Sequence, residues 1–271
     1  MSLSEGDLRA YFDRIGFSGD ARPNRETLAK LVAAHTGTIP FENLNPFLGL
    51  PVRLSPEVLV DKLVDQRRGG YCYEQNGLLS HVLETIGFDF TPLAARVLWM
   101  QSDDAVTPRT HKLLLVNLPE GLVIADVGFG GAVCTGVLDL VPEVAQSTPH
   151  DRFRLIEVGG IWRQQIEIGV EWRSTYQFDL APQLAVDDEL GNWWTSASPA
   201  SHFTFSLIAA RSPAGRRHAL RNYDYSIHVL GGKSDKRRLG SAEEVCAVLE
   251  SDFGIDIPER DRFLSRLKTL A

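Results

Sequence analysis

Hydrophobic positions recur at helical spacing through the first ninety residues and in short strand-like runs after them, so the chain reads as a helical part followed by a mainly β part. Leu8, Tyr11, Phe12 and Ile15 share one helical face behind the N-cap candidate Ser4. Leu28, Leu31, Val32 and His35 follow Asn24 in the same way, and Gly37 is expected to end that helix. A third helix is predicted from Ser55-Pro56 through Val58, Leu59, Leu63 and Val64 to the break at Gly69-Gly70. The fourth carries Leu78, Leu79, Val82, Leu83 and Ile86 and stops at Gly87.

From about residue 92 the predicted elements are strands: Ala94 to Met100, Lys112 to Leu118, Leu122 to Val127, Phe153 to Val158, Ile161 to Ile168 and Trp172 to Phe178. Pro119-Glu120-Gly121 and Gly159-Gly160 supply turns between them, which suits an antiparallel sheet or barrel. Further strands are expected at Phe203 to Ala210 and Tyr225 to Leu230. A capping box at Ser241-Ala242-Glu243-Glu244 opens a helix through Val245, Val248 and Leu249, and a last helix follows Pro258. No internal repeat or low-complexity tract interrupts this order.

Composition narrows the class. With 271 residues, 44% hydrophobic and 9% aromatic, the chain suits a globular enzyme with a full core. A net charge of −7 and a pI near 5.5 argue against nucleic acid or an anionic membrane as partner. Cys72, Cys134 and Cys246 cannot all pair, and no two have the spacing of a zinc or redox motif, so a reducing, cytoplasmic setting is expected. The start Met1-Ser2-Leu3-Ser4-Glu5 lacks the basic and apolar runs of a signal peptide, and no stretch approaches the ~18 apolar residues of a membrane span.

The candidate chemistry centres on Cys72, which lies in Arg68-Gly69-Gly70-Tyr71-Cys72-Tyr73-Glu74-Gln75-Asn76 at the start of the fourth helix. In a first helical turn the unpaired N–H groups and the positive end of the macrodipole favour an anionic sulfur, and Arg67 and Arg68 add positive charge nearby in sequence. A cysteine nucleophile needs a base, and the base needs an orienting acceptor. His111 opens one predicted strand and Asp126 ends the next. The chain reversal at 119 to 121 brings both to the same end of a hairpin. Alone, each residue has a plainer reading: a packed cysteine, a hydrogen-bonded structural histidine, aromatic rings as core filling. His35 and His81 read as structural, and Cys134 and Cys246 as packing residues.

The run from Arg68 to Asn76 resembles the nucleophile segment of the arylamine N-acetyltransferases, which carry R-G-G-x-C-x-E-x-N. Pro40-Phe41-Glu42-Asn43-Leu44, Arg109-Thr110-His111 and Asp126-Val127-Gly128-Phe129-Gly130 extend the resemblance in order over the first half of the chain. Ser201-His202-Phe203-Thr204-Phe205 carries it more weakly beyond. The departures are Tyr73, where phenylalanine is common, and Lys112, where an apolar residue is common.

The resemblance implies an α+β fold: an N-terminal helical bundle (1–90), a central antiparallel β-barrel (91–195) and a C-terminal α/β lid (196–271), around a cysteine-protease-like Cys-His-Asp site. It implies Cys72, His111 and Asp126 as catalytic residues, and Phe41, Phe129 and Phe205, with Trp99, as an aromatic wall for substrate. Gly128, Gly130 and His202 would meet coenzyme A. The activity implied is ping-pong acetyl transfer from acetyl-CoA to small aromatic amines, hydrazines or hydroxylamines through an acetyl-cysteine, with no metal. The spacing around Phe129 is wrong for a phosphate loop, and a flexible bend presenting that ring is preferred. The basic clusters Arg211 to Arg221 and Lys233 to Arg238 read as loop charges or as contacts for the nucleotide phosphates of the acyl carrier. A homodimer is allowed. A transglutaminase-like or cysteine hydrolase activity on amides is the alternative, and a binding protein with a silent triad a third reading.

Overall fold

The computed structural model describes residues 2–270; Met1 and Ala271, the outermost residues of the expected first and last units, lie outside the described residues. The helical part comprises α1 (Glu5–Ile15), α2 (Arg25–Thr38), the short strand β1 (Phe41–Glu42), α3 (Leu44–Leu48), α4 (Pro56–Val60) and α5 (Cys72–Ile86). The caps are those the sequence suggests: Ser4 accepts from Asp7 N, Asn24 accepts from Thr27 N, and Gly87 closes α5 in the left-handed conformation. Helix α2 runs through Gly37, which was expected to stop it. Its end is set at Ile39, extended before Pro40, because a residue preceding proline is pushed out of the helical region. The third predicted helix is α-helical only to Val60 and continues as a π-helical turn, Asp61–Asp65.

Eight strands follow: β2 (Asp89–Val97), β3 (Arg109–Leu118), β4 (Gly121–Ala125), β5 (Leu138–Asp139), β6 (Gln146–Ser147), β7 (Arg152–Val158), β8 (Ile161–Ile168) and β9 (Glu171–Phe178). They form one antiparallel sheet in the order β5-β4-β3-β2-β9-β8-β7-β6. Its two ends nearly meet, since Gln146 on β6 exchanges two hydrogen bonds with the backbone of Asp139 on β5, at 2.7 and 3.0 Å. The sheet is thus a nearly closed barrel. Strand β3 is buried on both faces. Leu114, Val116 and Leu118 join the helical core with Leu28, Leu59 and Leu79, while Leu113 and Leu115 join the barrel interior with Phe153 and Tyr176. A strand so clamped is a rigid mount for whatever its first residues carry.

The remaining elements are α6 (Ala185–Ala197), β10 (Ile208–Arg211), β11 (Arg216–Arg221), β12 (Asp224–Val229), β13 (Asp235–Arg238), α7 (Ala242–Val248) and α8 (Arg260–Lys268). Strand β1 joins the second sheet, in the order β1-β10-β11-β12-β13, so the segment before the nucleophile is tied to the C-terminal part by Phe41↔Ala210 pairing. Three expectations change here. The strand expected at Phe203 to Ala210 begins only at Ile208, because His202–Thr204 form a 3₁₀ turn. Much of the two basic clusters lies on β11 and β13 rather than in loops. Helix α6 was not foreseen, for its pattern is inverted: Asp188, Asn192 and Thr195 are buried while Val186, Leu190 and Trp193 are exposed. The expected boundary between 195 and 196 falls inside α6, and we propose drawing it past Ala197. Among the described residues no helix is long and apolar enough to cross a membrane.

Candidate active site

Cys72 is the first residue of α5, and the turn that carries it is held by backbone approaches only glycine permits. A Cβ on Gly69 would stand 1.9 Å from Pro40 O, and one on Gly128 would stand 2.6 Å from Cys72 Cα. A buried ion cluster holds the same turn. Arg68 donates to Glu42 Oε1 at 2.6 and 3.0 Å, Lys62 Nζ donates to Glu74 Oε1 at 2.6 Å, and Lys62 lies 3.7 Å from Glu42. Glu74 Oε2 accepts from Tyr71 N at 3.1 Å, just ahead of the nucleophile. Two acids and two bases balance. Burial acts to raise both carboxyl groups; at Glu42 the charges of Arg68 and Lys62 outweigh it and the pKa is lowered, whereas at Glu74 burial prevails and it is raised.

The hairpin β3–β4 turns through Pro119-Glu120 with Leu114 opposite Ala125, which carries Asp126 back towards the start of β3. There His111 Nε2 donates to Asp126 Oδ2 at 2.7 Å. Cys72 Sγ lies 3.4 Å from the carbonyl oxygen of Thr110, the residue before His111. With Nε2 engaged by the carboxylate, Nδ1 is the ring nitrogen left for the sulfur. Burial alone would lower the His111 pKa, but the charge and hydrogen bond of Asp126, together with the Cys72 sulfur, push it up to about 10. Asp126 is lowered despite its burial, by His111 and by hydrogen bonds from Asn76 and Gly128. The histidine ring is boxed by Phe129 (centroids 5.2 Å, edge-on) and Tyr176 (4.8 Å).

Asn76 completes the arrangement. It donates to Asp126 Oδ1 at 2.8 Å and to Lys112 O at 2.7 Å, and accepts from Val127 N at 3.0 Å. It ties the nucleophile helix to both strands that carry its partners. Sequence reasoning quoted Asn76 without giving it this role, although a residue four positions after Cys72 shares its helix face. Lys62, on the π-helical turn, had no comparable signal.

The aromatic candidates divide. Phe41 is buried beside Cys72, Tyr71 and Tyr73, and its ring lies 6.0 Å from that of Phe203, which lies 5.6 Å from Tyr71. Phe205 is 49% exposed, and Phe203, in the 3₁₀ turn His202–Thr204, is the ring that packs on Phe41 and Tyr71. Trp99 packs half-buried against the barrel core. Gly130, at φ 78°, lies over the Phe41 ring, which stands 3.4 Å from the site of its missing Cβ. The His202 ring lies 4.3 Å from that of Phe203. A cavity of about 790 Å³ is lined by Phe47, Val52, Trp193 and Arg262 among others, and Cys72 is not part of its lining. Among the described residues no group of three or more His, Cys, Asp or Glu side chains is placed to hold a metal ion.

A family model described as N-acetyltransferase matches residues 24–262. The arylamine N-acetyltransferase of Mycolicibacterium smegmatis is 43% identical over 255 residues, covering 93% of this chain and 92% of that protein. That of Escherichia coli K12 is 40% identical over 253 residues, covering 93% and 90%. The solved structure of the Mycobacterium marinum arylamine N-acetyltransferase in complex with CoA superposes with a TM-score of 0.93 at 40% identity, covering 97% of this chain and 99% of that one.

Proposed function

The chain belongs to the arylamine N-acetyltransferase family, and on that premise we propose that it carries an acetyl group from acetyl-CoA to an aromatic amine, arylhydrazine or arylhydroxylamine in two displacements, through an acetylated Cys72. The observation that carries the reading is the buried contact between His111 and Asp126 beside the Cys72 sulfur.

The upward shift of His111 means that the ring holds a proton at neutral pH and stands as an imidazolium beside the Cys72 sulfur, which attacks as the thiolate. The sulfur attacks the thioester carbonyl, and the oxygen takes the charge. As the first two residues of α5, Cys72 and Tyr73 have N–H groups without intrahelical acceptors, and these are the donors for that oxyanion. Collapse breaks the bond to the coenzyme A sulfur, which leaves with the proton of His111. The amine then attacks the acetyl-cysteine, neutral His111 takes a proton from the attacking nitrogen, and Cys72 leaves as a thiolate. The resting enzyme is restored.

Burial of all three residues limits hydrolysis of the thioester, Cys72 being 4% exposed. The rings of Phe41, Phe129 and Phe203 suit a flat aromatic acceptor. Three free, buried cysteines accord with a cytoplasmic setting. Initial rates of coenzyme A release, measured against both substrates over a panel of arylamines and hydrazines, test the reading. Parallel double-reciprocal lines are expected. Intersecting lines, or release independent of any amine, would overturn it.

A further inference from the structure

Helix α6 turns its apolar side to solvent. Val186, Leu190, Trp193 and Ala197 fall within an arc of about 60° around the helix axis, and the first three are 66, 68 and 64% exposed. The opposite side is committed to the interior. Lys112 Nζ donates to Asp188 Oδ2 at 2.5 Å, and Asn192 accepts from the Tyr71 hydroxyl and donates to Val52 O at 3.0 Å. The helix therefore cannot roll over to bury the row. Single exposed apolar side chains are ordinary on a monomer, whereas a row of them on consecutive turns, with a tryptophan among them, is the composition of an interface core.

The charges beside the row define what fits it. The cavity of about 790 Å³ runs along one flank, where Asn192, Trp193, Ser196 and Ala197 of α6 line it together with Arg266 of α8. Arg266 lies over the Phe47 ring and donates to Thr204 O at 2.9 Å. Glu189 stands on the same flank of α6, two turns before Ser196 and towards the other end of the helix. Among the described residues neither Glu189 nor Arg266 enters an ion pair. One flank thus carries an unpaired acid near one end and an unpaired base near the other.

We propose that the outward face of α6 is the interface of a two-fold symmetric homodimer, in which the α6 helices of two copies pack antiparallel. A two-fold axis perpendicular to α6, passing between Leu190 and Trp193, lays each flank against the same flank of the other copy with its ends exchanged. Leu190 then packs on the partner's Trp193, Val186 on the partner's Ala197, and Glu189 faces the partner's Arg266. Symmetry makes each contact twice. A parallel pair would instead bring Glu189 level with the partner's Asp187, acid against acid. A stable interface buries about 800 Å² on each partner, more than one helix row supplies. The exposed cavity rim at Gly49 and Pro51 continues the contact, as does Phe205, which follows the cavity-lining Thr204.

Sedimentation of the full chain tests the proposal, with Leu190→Asp, Glu189→Arg, Arg266→Glu and the exchanged pair Glu189→Arg/Arg266→Glu beside the wild type. The wild type is expected at twice the 30.1 kDa of one chain, and Leu190→Asp at the single mass with its circular dichroism unchanged. Each charge reversal sets like charges together twice in the dimer. The dissociation constant should therefore rise at least about 10-fold in either single variant and return to within about 3-fold of the wild type in the exchanged pair. A wild type at the single mass, which would leave the row to a partner other than a second copy, would overturn the proposal. So would a dimer indifferent to Leu190→Asp, or an exchanged pair no tighter than Glu189→Arg alone. If Arg266→Glu unfolds the chain through the loss of its bond to Thr204, the exposed positions 189 and 190 decide: a weakened dimer in both variants supports the interface, and an unchanged one in either overturns it.

Discussion

Replacing Asn76 by alanine removes a side chain that ties the nucleophile helix to both Asp126 and the backbone of β3. Asp126 Oδ1 then keeps only the Gly128 N–H, at 2.8 Å, of its two donors. A hydrogen bond to a charged group contributes about 1.5–3 kcal/mol. If that loss is felt wholly in the transition state, where His111 must be held in one orientation, kcat/KM for acetyl transfer falls by about 10- to 150-fold. A second effect is separable. Lys112 O and Val127 N lose their partner in the interior, at about 1–3 kcal/mol each, and the melting temperature drops by roughly 5–15 °C. The assay is steady-state acetyl transfer well below the variant's melting point, beside the same measurement on Asp126→Asn and on the double variant. Because Asn76 acts through Asp126, the double variant should be no slower than Asp126→Asn alone. Full activity in Asn76→Ala, or losses that multiply in the double variant, would refute the reasoning.

Two further outcomes follow from buried groups around the site. His35, between Tyr11 and Gln75, has its pKa lowered to about 4 by burial, against 6.5 for an ordinary histidine. The unfolded chain therefore takes up a proton that the folded one refuses, and stability should fall by about 3 kcal/mol as pH drops from 6.5 to 4. Urea unfolding of wild type against His35→Gln measures this, and equal slopes across that window would contradict it. Phe129→Ala removes a ring packed edge-on against His111, so both half-reactions should slow together; an effect confined to the amine step would mean that the ring serves the acceptor alone.

The helices and hairpins of this chain are legible wherever one face is apolar and the ends carry caps. Ser4, Asn24 and Gly87 mark real helix ends, and the strand pair around Pro119-Glu120 delivers Asp126 to His111 as its length requires. Legibility fails where burial is polar. Helix α6 hides because it buries Asp188 and Asn192 and exposes Leu190 and Trp193, the reverse of the usual stripe. The Lys62 ammonium belongs to a π-helical turn, whose geometry no hydrophobic period announces. The packing of Phe203 on Phe41 and the exposure of Phe205 were not legible because a 3₁₀ turn stands where a strand was expected. At Gly69 and Gly128 the sequence shows the glycine but not the reason, which is the approach of Pro40 O and Cys72 Cα from distant parts of the chain.

The claim that Cys72 carries the acetyl group is tested most directly by mass spectrometry of the protein after incubation with acetyl-CoA and no amine. One acetyl group, +42 Da by the ordinary mass of CH₃CO replacing H, is expected on the peptide containing Cys72, absent in Cys72→Ala and discharged when an arylamine is added. An unmodified Cys72 in an enzyme that still transfers acetyl to the amine, or acetylation that survives in Cys72→Ala, would contradict the two-displacement account.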